Sequence, residues 1–428
     1  MRVRSGPSLP LAPAAPPSRR RLELVDARPV DRVWRPVHAV WEITLRCDLA
    51  CRTCGSRAGR ARPDELSTTE AHDLIDQMAA MGVREVTLIG GEAYLREDWI
   101  GLVERITRRG MACTMTTGGR GIDARRAREA RAAGMDHVSV SVDGMRETHD
   151  ALRGVPGSYE AALDALHHLA AAGIRITCNS QVGARSLFEL EGLLPILADA
   201  GIVGWQCALT VPMGRAADDP SLLLQPYQML EVHPMLARLV KAASPRGVRV
   251  RPGNNLGYFG PYEALLRPEK PECRAGACGA GRTTLGIEAN GDIKGCPSLP
   301  SHDYVGGNVR DADLRTIWER TPPLRFTRRR TKADLWGRCR DCYYAEACEA
   351  GCSWTSHVVL GRRGNNPFCH HRALELLREG RRERLLPAEP APGLPFDHRR
   401  FELVEETWPP TELERARDVA AGRRRWLS

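Results

Sequence analysis

A unit that repeats between about residues 68 and 209 constrains this chain most: an amphipathic stretch of helical period, then a glycine, then a short apolar or β-branched run. The spacing predicts helices over 68–81, 99–109, 123–133, 159–172 and 187–200. Strands are expected at 85–89, 112–116, 137–142, 175–179 and 203–209, with a shorter apolar start at 41–44 before them. Gly82, Gly110, Gly134, Gly173 and Gly201 stand where a helix ends in the left-handed conformation that glycine tolerates. Six strands separated by helices of this length imply βαβ units and a parallel sheet, an α/β fold. Periodicity alone leaves open whether such a sheet closes.

The chain also carries fourteen cysteines. The first 21 residues begin with arginines, are broken by prolines and close on Arg19-Arg20-Arg21, a poor export signal that reads as a disordered tail. Without export a cytoplasmic location is expected, where reductants disfavour disulfides and spaced cysteines serve as metal ligands or catalytic groups. No run approaches the ~20 apolar residues of a membrane span. The net charge of +9 comes almost wholly from arginine, since only four of 62 basic residues are lysine. Those arginines are dispersed, with no groove-reading motif beside them, so a nucleic-acid partner is not expected.

Three cysteines fall on the loop after the first strand, as Cys47-x3-Cys51-x2-Cys54. Three thiolates on one loop can hold three irons of a 4Fe-4S cubane and leave the fourth iron open; a zinc site with a distant fourth ligand fits the spacing too. The second strand runs directly into Gly90-Gly91-Glu92, where glycines permit close backbone approach and a carboxylate can accept from an ammonium group. Together these segments resemble the radical S-adenosylmethionine (radical SAM) superfamily, and the likeness covers roughly residues 40–215. It implies a partial (β/α)6 TIM-like barrel with its site at the strands' C-terminal ends. It implies also that the open iron chelates the cofactor's amino and carboxylate groups while Gly90, Gly91 and Glu92 contact the methionyl amine. One departure stands out: the aromatic residue usual before the third cysteine is Thr53 here, so adenine packing must come from elsewhere. The segment from Ser139 to Gly144, followed by His149-Asp150-x2-Arg153-Gly154, resembles the family's fourth strand, with Ser141 near the ribose or methionyl carboxylate. Asp143 there reads either as a site residue or as part of an Asp-Gly turn. Asn179 and Gln206, ending the fifth and sixth strands, point to the same mouth if the barrel holds.

A second series runs Cys278-x12-Gly291-x4-Cys296, then Cys339-x2-Cys342-x5-Cys348-x3-Cys352, then Cys369. Cys339-x2-Cys342 alone suits zinc, but the whole series is similar to the SPASM domain, the C-terminal extension of many peptide-modifying radical SAM enzymes. That likeness implies two auxiliary 4Fe-4S clusters, one on Cys278, Cys296 and Cys352 with Cys273 upstream, the other on Cys339, Cys342, Cys348 and Cys369. Cys113, Cys178 and Cys207 remain as buried packing on strands. The expected organisation is a disordered tail (1–37), a core barrel (38–252), a small cysteine-rich α+β domain (253–385) containing a helix over 372–384, and a tail (386–428) with a short helix near 410–421.

The function implied is an oxidoreductase that cleaves S-adenosylmethionine to a 5′-deoxyadenosyl radical and abstracts hydrogen from a protein or ribosomally made peptide. The small-metabolite alternative is dehydrogenation of an aminocyclitol or side-chain removal from a tetrapyrrole; a non-catalytic iron-sulfur or zinc protein is the third. A flavodoxin or ferredoxin donor is implied, for which an arginine-rich surface suits an acidic partner. Residues 1–38 are too few and too proline-rich for a leader-binding module of ~80 residues, so either a separate protein brings the peptide, or the peptide binds the barrel mouth directly, or the substrate is small. No catalytic acid or base can be named.

Overall fold

The computed structural model describes residues 22–257, 259–268 and 277–425. Ten strands make one sheet: β1 (His38–Glu42), β2 (Glu85–Ile89), β3 (Ala112–Thr117), β4 (His137–Ser141), β5 (Arg175–Val182), β6 (Gly204–Leu209), β7 (Arg249–Pro252), β8 (Thr284–Ile287), β9 (Asp292–Lys294) and β10 (Gly307–Asn308). Its order is β10-β9-β8-β1-β2-β3-β4-β5-β6-β7, and every pair from β8 through β7 is parallel. The five helices of the repeated unit form at Thr68–Ala80, Trp99–Arg108, Ala124–Ala132, Ser158–Ala171 and Leu190–Asp199. The five glycines that follow them all have left-handed φ, between +77° and +101°.

Alternate strand residues turn to the helices and are buried: Trp41, Val86, Leu88, Val138, Val140, Cys178 and Trp205 join Leu74, Ile75, Leu102 and Leu166 in one core. Cys113, Cys178 and Cys207 lie there as expected of packing cysteines. The opposite face is polar, with Thr87 hydrogen-bonded to His38 and Thr114, and His137 to Thr177. This polar face makes the inside of a partial barrel with β7 as its open edge. No helix among the described residues is long and apolar enough to cross a membrane.

Four features differ from the sequence expectation. The sheet passes through the boundary at 252, because β8 pairs with β1, His38 opposite Thr284 and Trp41 opposite Ile287. Helix Met229–Ala243, buried nearly all round and therefore without a readable period, precedes β7. The helix expected over 372–384 stops at Arg378; Gly380 (φ +70°) ends it, and β11 (Arg381–Glu389) pairs antiparallel with β12 (Arg400–Thr407). The buried Trp408 and helix Pro410–Ala420 then pack onto the core, so residues 386–425 are no loose tail.

The chain from residue 22 departs from a disordered tail as well. Helix Pro29–Val33 carries Asp31, whose fully buried carboxylate pairs with Arg28 at 2.8 Å, Arg325 at 2.5 Å and Arg328 at 3.3 Å. Burial opposes the Asp31 charge, but hydrogen bonds from Arg28 and the arginine charges win and hold the carboxyl well below the usual range. A depressed carboxyl pKa contributes stability that is present above about pH 4 and lost as pH falls through the folded value. Asp31→Asn strands the buried Arg328 and Arg325; we expect a loss of about 3–5 kcal/mol, read as a lower urea midpoint at pH 7. The gap to the parent protein should narrow on acidification, and a gap unchanged down to pH 2 would refute this account.

Candidate cofactor and iron-sulfur site

The loop after β1 and the turn after β2 are built against each other. Gly91 N–H donates to Thr44 O and Glu92 N–H to Arg46 O, both at 2.8 Å. A Cβ on Gly90 (φ +151°) would meet Thr44 O at 2.1 Å, and one on Gly91 would meet Arg46 O at 2.1 Å. The two glycines are therefore required by this crossing of backbones. The crossing delivers Glu92 beside Cys47 and Asp48. Glu92 is buried; its carboxylate accepts from Thr117 Oγ1 at 2.5 Å and Gly118 N at 2.7 Å, and burial lifts it to about 7.

Cys47, Cys51 and Cys54 come together, with Cys51 and Cys54 near enough to Cys47 to disfavour its ionisation. Burial pushes Cys51 up and Cys47 up to about 12. Polar groups already address the sulfurs: Leu49 N–H donates to Cys47 and Ala58 N–H to Cys54, each at 3.4 Å, and Ser56 Oγ lies 3.5 Å from Cys54. Arg153, scarcely exposed, donates to Cys51 Sγ at 3.7 Å and pairs with the buried Asp143 at 2.7 Å. Arg215 braces the loop through Cys51 O and Ala58 O. Thiols raised by burial yet met by N–H donors and a guanidinium fit an iron cluster, which takes the protons' place and whose anionic charge those donors stabilise. Thr53 is buried on this loop.

Ser141, Asn179 and Gln206 lie side by side across β4, β5 and β6, and Arg251 of β7 continues the row. Ser141 ends its strand, but Asn179 and Gln206 do not end theirs as expected, since β5 and β6 each run three residues further, to Val182 and Leu209. Each residue of the row is at least partly exposed, and the residues before it on its strand (Val140, Cys178, Trp205 and Val250) are buried, so the row lies on the polar inner face. Sequence reasoning quoted Arg153 within a motif without giving it a role, and it missed Arg251, Arg215 and Thr117. Only the folded chain places these beside the cysteine loop or on the row.

The later cysteines form two groups. Cys278, Cys296 and Cys352 are mutually close, and burial raises Cys296 to about 12 and Cys352 to about 11. Cys273 lies outside the described residues. Cys339, Cys342, Cys348 and Cys369 converge on a cavity of about 270 Å³ that Tyr344, His371 and Arg372 also line. Asn366 N–H donates to Cys339 Sγ and Tyr344 N–H to Cys342 Sγ, both at 3.4 Å.

The turn between β11 and β12 reaches back to the first cysteine loop. Phe396 N–H donates to Gly55 O at 3.1 Å, Asp397 pairs with Arg57 at 2.9 Å, and His398 bridges to Met213. Met213 Sδ in turn accepts from Trp354 Nε1 at 2.9 Å, two residues beyond Cys352.

Comparison with known proteins agrees with this geometry. Residues 41–185 match the radical SAM superfamily and residues 278–343 match SPASM, an iron-sulfur cluster-binding domain. The chain is 31% identical to mycofactocin maturase MftC of Mycobacterium ulcerans over 78% of this chain and 88% of that one. It is 29% identical to an AdoMet-dependent heme synthase of Nitratidesulfovibrio vulgaris over 78% of this chain and 91% of that one. Its fold resembles anSMEcpe, solved with bound AdoMet and a Cp18Cys peptide, with TM-score 0.63 and 15% identity over 79% of this chain and 95% of that one. A cysteine loop locked against Gly-Gly-Glu at the ends of β1 and β2, followed by a second cysteine-rich region, thus makes this chain a member of the radical SAM enzymes that carry a SPASM domain.

Proposed function

We propose that this enzyme is a peptide maturase, abstracting hydrogen from a ribosomally made peptide or a protein to leave a crosslink, an epimer or an oxidised side chain. Cys47, Cys51 and Cys54 would hold a 4Fe-4S cluster that, with S-adenosylmethionine bound, supplies the 5′-deoxyadenosyl radical. Glu92, fixed by Thr117 and Gly118, and the Gly90-Gly91 backbone would receive the methionyl amine. Arg153 would offset the negative charge at Cys51. Cys278, Cys296 and Cys352, with Cys273, and the group of Cys339, Cys342, Cys348 and Cys369 would hold two auxiliary clusters. A flavodoxin or ferredoxin would donate electrons, and a separate protein could bring the peptide.

The observation that most supports a peptide is the row Ser141, Asn179, Gln206 and Arg251 on the inner face of a barrel open along β7. The Ser141 hydroxyl and the Asn179 and Gln206 amides can pair with the backbone amides of an extended chain. The peptide bound in a structural neighbour supports it as well. Side-chain removal from a tetrapyrrole is the second reading, favoured by the heme synthase relative. Anaerobic assays in deuterated solvent separate them. With the reduced enzyme and cofactor, a short peptide encoded beside the gene should stimulate 5′-deoxyadenosine formation and emerge altered in mass or deuterium content. Stimulation by a tetrapyrrole and by no peptide would overturn the peptide reading.

A further inference from the structure

Outside the cysteine groups, one cluster of metal-ligating side chains among the described residues stands where the hairpin turn meets the auxiliary region. Asp303, His357 and His398 each offer a ligand atom, and all three atoms lie within 4.8 Å of one another. They come from three separate segments: helix Ser301–Tyr304, helix Ser353–Leu360 and the turn before β12. His357 Nε2 already stands 3.2 Å from Asp303 Oδ2, close to the ~3.3 Å separating two ligands on a tetrahedral ion with ~2.0–2.1 Å bonds. The His398 ring stands edge-on to His357, 5.2 Å between centroids, and its Nδ1 is buried with no hydrogen-bond partner.

The surroundings are those of a ligand set. Tyr304 OH lies 3.0 Å from His357 Nδ1, so the outer nitrogen of that ring has a partner that fixes its orientation and leaves Nε2 directed at the cluster. His302 Nδ1 lies 3.3 Å from the other oxygen of Asp303.

We propose that Asp303, His357 and His398 bind one divalent transition cation of zinc's class, with a fourth position left to water. Two imidazoles and a carboxylate suit zinc or ferrous iron and contain no sulfur, which sets this site apart from all the cysteine groups. Its effect is local and mechanical. The cation ties the β11–β12 turn to the helix that follows Cys352, and the same turn holds Gly55 and Arg57 of the first cysteine loop. Phe396 in that turn has φ +58°, a conformation costly for a non-glycine residue that neighbouring contacts must maintain.

The proposal does not rest on the substrate reading. Zinc ions alone, added to the cluster-loaded enzyme and followed by gel filtration, should leave about one bound zinc per chain. X-ray absorption at the zinc edge should show only nitrogen and oxygen neighbours with imidazole scattering, as three protein N/O ligands and water require. His398→Ala and the milder His398→Gln should each lose that zinc while iron content and circular dichroism stay at the parent level. Hydrogen exchange at residues 390–399 should slow on zinc addition in the parent protein alone. No zinc retained, sulfur in the zinc shell, or zinc kept by both variants would overturn the site.

Discussion

Replacing Cys47, Cys51 and Cys54 together by alanine should remove about four irons from roughly twelve per chain and abolish 5′-deoxyadenosine formation. The loop itself should survive, because much of its bracing is made by main-chain oxygens rather than by the sulfurs. Arg215 holds Cys51 O and Ala58 O, Gly91 and Glu92 donate to Thr44 and Arg46, and Phe396 holds Gly55. Circular dichroism should therefore stay near the parent spectrum while iron and turnover fall. Retention of all the iron, or its replacement by tightly held zinc in the parent enzyme, would refute the assignment of these cysteines.

The second large effect concerns Arg153. Its guanidinium is the cation near Asp143, a carboxylate only 1% exposed, and it also touches Cys51 Sγ. Arg153→Ala leaves that carboxylate buried without its partner, which costs about 3–5 kcal/mol. Asp143→Asn in the same chain removes the stranded charge, so the double variant should recover much of the stability. Activity should not return with it, because Cys51 still lacks its positive neighbour. Equal destabilisation in the single and double variants would show that the pair is not what Arg153 supports. Full activity in the double variant would show that the guanidinium has no part at the cysteine loop.

The fold of residues 68–209 could be read from the sequence because each unit announces itself within about fifteen residues: a helical period, a glycine that caps it, then an apolar run. The same reasoning failed where local signals were weak. Helix Met229–Ala243 has almost no polar face and contains Pro234, so no period marks it. The run from Arg381 is dominated by arginine and glutamate, good helix formers, and only its partner in β12 makes it a strand. Cysteine spacing brought the two later groups into view, whereas Arg153, Thr117 and Arg251 owe their positions to strand ends that meet only in space. The turn at Phe396–His398 had no sequence signal, since its partners Gly55, Arg57 and Met213 are remote in the chain.

The pairing of β8 with β1 has a consequence in time. A ribosome makes β1 and the cysteine loop early and Thr284–Ile287 much later; at ~5–20 residues per second the wait exceeds about ten seconds. Throughout that interval β1 presents an unpaired parallel edge, a template for any extended segment nearby. A nascent chain halted after Pro252 would hold every strand from β1 to β7 and still lack the neighbour that covers its first one. Emergence of the auxiliary region thus completes the barrel's sheet, and the loop of Cys47, Cys51 and Cys54 gains its final flank only when the last third of the protein has been translated.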